Sequence, residues 1–180
     1  MSVGETRMRY SATAQLLHWL TAILVVAAFI YGPGGSEQRV YSAAKDFDRQ
    51  IHETLGVAVL VTTLIRLGLR AYERAPAEPQ MPSWMRASSK LVQATLYALL
   101  LLLPLTAITG AWLEGHPLTL LRGMRIGPWL AEAHSVGSSI ATVHTWLGDT
   151  ILWIAGIHAV AGLYHHFVLR DRVLQSMLPF

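Results

Sequence analysis

Not one cysteine occurs in the chain. That absence excludes disulfides, cysteine-ligated iron–sulfur clusters and the CxxCH attachment of a c-type haem, so any haem here is held non-covalently. Charge is scarce as well. Only 14% of the 180 residues are Asp, Glu, Lys or Arg, against 53% hydrophobic, and mean hydropathy is +0.40. These figures point away from a soluble fold and towards a membrane protein. The formal net charge of +3 is too small to signal a nucleic-acid partner, and where the charges fall matters more than their sum.

What is present is apolar length. Four runs, roughly 10–31, 51–72, 90–113 and 143–169, are long enough to span, since crossing ~30 Å of hydrocarbon takes about 20 helical residues. The expectation is an all-α transmembrane four-helix bundle, one integral-membrane domain over 1–180. The first run follows Arg7 and Arg9 as a signal peptide's would, but His18 and Trp19 inside it and GPGGS at 32–36 fit a span and an interhelical turn better. Pro76, Pro79 and Pro82 mark a short connector after the second run. The third has no histidine and is expected to pack the bundle, with Pro104 bending it and Gly110 permitting a close contact. The stretch 115–140 is too polar and broken to span. It reads as an interfacial cap, with Trp112, Trp129 and Trp146 as an aromatic belt.

Loop charge sets the orientation. Nine Lys and Arg (Arg7, Arg9, Arg66, Arg70, Arg74, Arg86, Lys90, Arg170, Arg172) fall on the side of the termini, and five (Arg39, Lys45, Arg49, Arg122, Arg125) on the other. Acidic residues lean the opposite way: Glu5, Glu73, Glu78 and Asp171 face seven across the membrane. Both termini are therefore expected to be cytoplasmic, in a multi-pass protein of the bacterial cytoplasmic membrane.

The fourth run, VHTWLGDTILWIAGIHAVAGLYHHF, carries four histidines, and ionisable residues inside a membrane are costly enough to be functional candidates by default. His144 and His158 are 14 residues apart, ~21 Å of rise and about 40° short of four full turns, so they share a face near opposite membrane surfaces. Depth then pairs them with histidines of the other runs: His18 with His158 near the cytoplasmic side, His52 with His144 near the outer side. Two bare two-histidine sites lack the four ligands that structural zinc takes. Axial ligation of haem needs only two trans ligands per iron, and such iron is saturated and exchanges electrons through the haem edge.

Glycine supports this reading. Gly56 follows His52, and Gly148 follows His144, by one turn on the same face, which removes a side chain where a flat macrocycle approaches. Arg66, 14 residues after His52, is either a snorkelling arginine or a counter-charge for haem propionates. His165 lies close to the His158 face and is a candidate for hydrogen bonding or proton transfer to a quinone. His166 points about 100° away, as a headgroup contact. His116 and His134 read as ordinary surface residues.

The motifs LLHWL, IHETLG, VHTWLG, GIHAVAG and YHHF, spread over nearly the whole chain, resemble the prokaryotic cytochrome b561 family. The resemblance implies a four-helix bundle with two stacked haem b groups, their iron bound by His18 and His158 and by His52 and His144. It further implies electron exchange with ubiquinone or another quinone, and with an outer redox partner or superoxide. An oxidoreductase or electron carrier is the main expectation. A haem-bearing membrane anchor for a soluble hydrogenase or dehydrogenase is the alternative, and a histidine-lined ion transporter without haem the third. Sequence alone leaves the oligomeric state open.

Overall fold

The computed structural model describes residues 9–73, 76 and 80–178. Glu5, Arg7, Arg74, Glu78 and Pro79, which entered the charge count and the connector reading, lie outside the described residues. Four long helices build the molecule: α1 (Ala12–Tyr31), α3 (Asp46–Tyr72), α4 (Ser83–Leu113) and α5 (His134–Tyr164), with a short α2 (Glu37–Val40) between the first two. Each of the four is long and apolar enough to cross a membrane. The fold is thus the expected all-α transmembrane bundle.

Three of the helices begin earlier than the apolar runs: at 46 instead of 51, 83 instead of 90, and 134 instead of 143. Hydropathy locates the hydrocarbon layer, whereas a helix continues through any residue that tolerates helical backbone. In α3 the extension is stabilised by charge. Asp46 and Asp48 occupy its first turn, favourable at the positive end of the helix dipole, and Arg49 bridges Asp46 (2.5 Å) and Glu53 (2.9 Å). α1 starts where Ser11 Oγ accepts the Ala14 N–H (3.2 Å), an N-cap. The expected turn after α1 is real: Gly34 and Gly35 have φ of 44° and 107°, backbone that side chains other than glycine's rarely adopt. Pro104 is buried inside an α4 that runs on without interruption.

Close helix contacts join α1 to α3, α4 to α5 and α3 to α4, while α5 meets neither α1 nor α3 along an extended stretch. Small residues set the α4–α5 approach: a Cβ on Gly110 would lie 3.3 Å from Ala141 N and 3.4 Å from Gly137 O. The buried core is a thin mid-depth plug of Val59, Leu99, Leu100 and Ile151. Large apolar side chains such as Leu16, Ile30 and Trp153 point outwards, as a lipid-facing surface requires.

The two ends are closed by irregular chain. Past α5, a π-turn (His165–Leu169) leads back, and the returning chain accepts Tyr10 N–H at Ser176 O (3.1 Å) and Trp19 Nε1–H at Met177 O (2.9 Å). At the opposite, distal end, β1 (Leu118–Thr119) pairs antiparallel with β2 (Arg125–Ile126). This hairpin is bolted to the bundle and not merely laid on it. Glu53 accepts the Thr119 N–H, Thr54 Oγ1 accepts the Leu121 N–H (2.9 Å), and Trp112 Nε1 donates to Ile126 O (3.1 Å). Trp112 therefore anchors the cap, packed against Trp129 at 4.9 Å, while Trp129 and Trp146 stay exposed as belt residues do.

Candidate functional site

Helix α5 carries His144 and His158, α1 carries His18 and α3 carries His52. The rings meet across the gap that separates α5 from α1 and α3. His18 and His158 have ring centres 6.2 Å apart, and His52 and His144 have them 6.0 Å apart. Ile151 stands seven residues from each α5 histidine and is 3% exposed, so the apolar plug separates the two pairs. Among the described residues no three His, Asp or Glu side chains gather into a metal cage. The site is two facing pairs.

That spacing can be tested against an iron between two imidazoles. About 2 Å for each metal–nitrogen bond, plus ~1 Å from each nitrogen to its ring centre, requires centres about 6 Å apart. Both pairs match. The hydrogen bonds of the distal pair also suit ligation. His52 Nδ1–H donates to Ala28 O (2.7 Å) and His144 Nδ1–H to Leu103 O (2.9 Å), which leaves each Nε2 with its lone pair free. Around this pair lies an apolar cleft lined by Leu103, Ala107, Gly56 and Gly148, with Glu53 at its rim. A Cβ built on Gly56 or Gly148 would meet nothing within 4 Å, so both glycines hold open space beside the histidines.

The pair nearer the termini differs. Arg66 is half-buried, turns inwards and donates from Nη2 to His18 Nδ1 (3.2 Å), its guanidinium 5.3 Å from the Tyr97 ring. It does not snorkel to the surface. An arginine has no lone pair to offer, so His18 accepts at Nδ1 in this arrangement and its proton sits on Nε2.

His165 lies in the π-turn with Nδ1 2.5 Å from Asp171 Oδ2, a partner that helical spacing did not reveal because Asp171 lies beyond the turn. His166 turns elsewhere. Its Nδ1 is buried without a hydrogen-bond partner, which argues against a headgroup contact at that atom. His116 is more than a surface residue: it bonds Glu37 (2.8 Å) and stacks on Tyr41 with ring centres 3.5 Å apart. Burial and the carboxylates of Glu53, Glu114 and Glu37 push the Tyr41 hydroxyl up, so it stays protonated. His134 opens α5 and is exposed.

Cytochrome b562 of Cereibacter sphaeroides is 30% identical over 181 residues, covering 97% of this chain and 95% of its own. Cytochrome b561 homolog 2 of Escherichia coli is 24% identical, covering 99% and 95%. A protein of Yersinia pestis named probable superoxide oxidase is 26% identical, covering 95% and 96%. The profile of the prokaryotic cytochrome b561 family matches residues 9–180. With four spanning helices and histidines paired across their gap, the chain belongs to the prokaryotic cytochrome b561 family of membrane electron-transfer proteins, which implies haem b.

Proposed function

We propose that this protein holds two b-type haems and passes electrons across the bacterial cytoplasmic membrane, between quinone and a redox partner on the far side, with both termini cytoplasmic. The observation that carries the reading is the pair of ~6 Å imidazole gaps, stacked along one bundle. His52 and His144 would hold the haem iron at the distal site, and His18 and His158 the one nearer the termini. Bound there, haem would supply one-electron exchange.

The chain's own groups do the rest. The Ala28 and Leu103 carbonyls hold the distal imidazoles in the ligating tautomer. Gly56 and Gly148 leave room for the ring. Arg66 must release His18 Nδ1 when His18 ligates through Nε2, and a propionate is the acceptor suited to its planar donor fork. Val59, Leu99, Leu100 and Ile151 keep water from between the sites. His165, oriented by Asp171, is placed to pass a proton to a quinone at the end carrying the termini. The name of the Yersinia pestis relative makes superoxide the donor to try first, with Arg39, Arg122 and Arg125 as local attraction for an anion at the distal end.

The test is an absorption spectrum of the purified protein, oxidised and reduced, with haem counted per chain. Two haems are expected. His52→Ala or His144→Ala removes the distal one alone, and His18→Ala or His158→Ala the other alone. A variant that keeps both with unchanged bands overturns the ligand assignment. Unchanged quinone-reduction kinetics in His165→Ala remove that residue from the scheme.

A further inference from the structure

At the end carrying the termini, the start of α1 and the chain returning from α5 enclose a second cavity, of about 260 Å³, lined by Arg9, Arg172, Gln175 and Ser176. Its walls are tied together. Tyr10 N–H and Gln15 Nε2 both donate to Ser176 O (3.1 and 3.2 Å), and Trp19 Nε1 donates to Met177 O (2.9 Å). Two guanidinium groups are thereby held at one mouth.

Among the described residues neither guanidinium has a hydrogen-bond or ion-pair partner, and Asp171 and Glu73 are engaged elsewhere. Asp171 serves His165 and the Val173 N–H (3.0 Å), and Glu73 accepts from Ser11 Oγ (2.8 Å). The cavity is therefore positive, and its two guanidinium groups lack an acceptor, whereas Ser176 Oγ already donates to Val173 O (2.7 Å). Beside it lies hydrocarbon-facing surface: Leu16, Leu20 and Ile23 are exposed on the α1 face next to Gln15 and Trp19, and Phe167 and Val168 are exposed just after α5. A ligand that satisfies both features has an anionic head and apolar tails.

We propose that this pocket binds the phosphodiester headgroup of an anionic phospholipid, with Arg9 and Arg172 as its cationic jaws and Gln175 as a neutral hydrogen-bond donor. A phosphodiester offers oxygens that match the planar donor forks of arginine, and basic recesses at the ends of membrane helices suit such headgroups. A zwitterionic lipid brings a cation of its own into a positive pocket. An uncharged quinone headgroup offers carbonyl acceptors but no charge to match two arginines. The site is separate from the histidine pairs, and its test does not depend on electron transfer.

The haem-loaded, delipidated full chain in detergent is titrated with phosphatidylglycerol, phosphatidylcholine or inorganic phosphate, with readout by thermal unfolding and by lipid adducts in native mass spectrometry. Phosphatidylglycerol is expected to raise the midpoint and to leave a retained adduct, and phosphatidylcholine to do neither. The double variant Arg9→Gln/Arg172→Gln, with an unchanged haem spectrum as the sign of an intact fold, weakens phosphatidylglycerol binding about tenfold or more, as the loss of two charge-assisted contacts requires. Arg9→Lys/Arg172→Lys recovers part of it. Arg39→Gln/Arg125→Gln, the same charge change at the distal end, leaves it intact. Equal response to the two lipids, undiminished binding in the Arg9/Arg172 variant, or an equal stabilisation by inorganic phosphate alone overturns the proposal.

Discussion

Gly148→Leu sets helix stability against cofactor space. In the haem-free protein an added Cβ meets no heavy atom within 4 Å, so nothing opposes the gain in helix propensity. Glycine lies about 0.8–1.0 kcal/mol below alanine and leucine lies near alanine, so the haem-free variant should be stabler by roughly 0.8 kcal/mol, about fourfold in the equilibrium. In the loaded protein the same side chain fills the cleft beside His144, where the proposed distal haem sits. The haem count should fall from the proposed two per chain to one while the bands of the remaining haem stay unchanged. Two controls separate the causes. Gly156 also has nothing within 4 Å but is exposed and away from the cleft, so Gly156→Leu should stabilise without loss of haem. Gly137→Ala should destabilise, because its Cβ would lie 3.1 Å from both Glu114 N and Gly110 O, backbone atoms that cannot move aside. Overpacking costs about 1–3 kcal/mol, which outweighs a propensity gain of about 1 kcal/mol. Thermal unfolding in detergent and haem quantification are the assays. A Gly148→Leu protein that still carries two haems with native spectra refutes the cradle argument, whatever its stability.

Three further predictions follow from the closed ends of the bundle. Glu53→Ala removes the acceptor of Thr119 N–H and one of the two carboxylate partners of Arg49, whose side chain is 10% exposed. Breaking a buried pair costs about 3–5 kcal/mol, and the surviving Asp46 contact places this case at the low end, with faster amide exchange over 117–126; unchanged exchange there would mean that Glu53 does not hold the cap. Trp19→Phe deletes the bond to Met177 O and should destabilise by about 1 kcal/mol, raising exchange in the returning chain; protection as in the parent would refute the clasp. Glu114 is buried beside Glu37, and both facts raise its pKa, against the opposing pull of His116 and His134. A carboxyl whose folded pKa is raised gives stability fully present below its unfolded value of 4.5 and lost as pH climbs through the folded value. Glu114→Gln should therefore raise the melting temperature at pH 7, with a gain that shrinks as pH falls through the raised folded value and is gone below 4.5; a gain independent of pH contradicts the assignment.

Particular residues show why some features were legible and others were not. The 14-residue interval between His144 and His158 is a local quantity. A helix converts it into depth and direction wherever the helix is placed, so the opposing histidines were findable before any fold was known. Gly56 and Gly148 were legible for the same reason, one turn from their histidines. Helix ends were less so, because Asp46, Ser83 and His134 belong to helices without belonging to apolar runs. Arg66 had two readings on sequence alone, and the structure turns it to His18, 48 residues away.

Sequence by itself determined that this is a four-span membrane chain, which faces carry histidine, and where glycine leaves room, because hydropathy and the helical repeat are properties of neighbouring residues. Only the tertiary structure decided that a hairpin is bolted to Glu53 and Thr54, that Asp171 orients His165, and that Arg9 and Arg172 line one cavity. Those arrangements bring together segments up to 163 residues apart in numbering, and they depend on where the chain reverses at each end of the bundle, which no local period encodes.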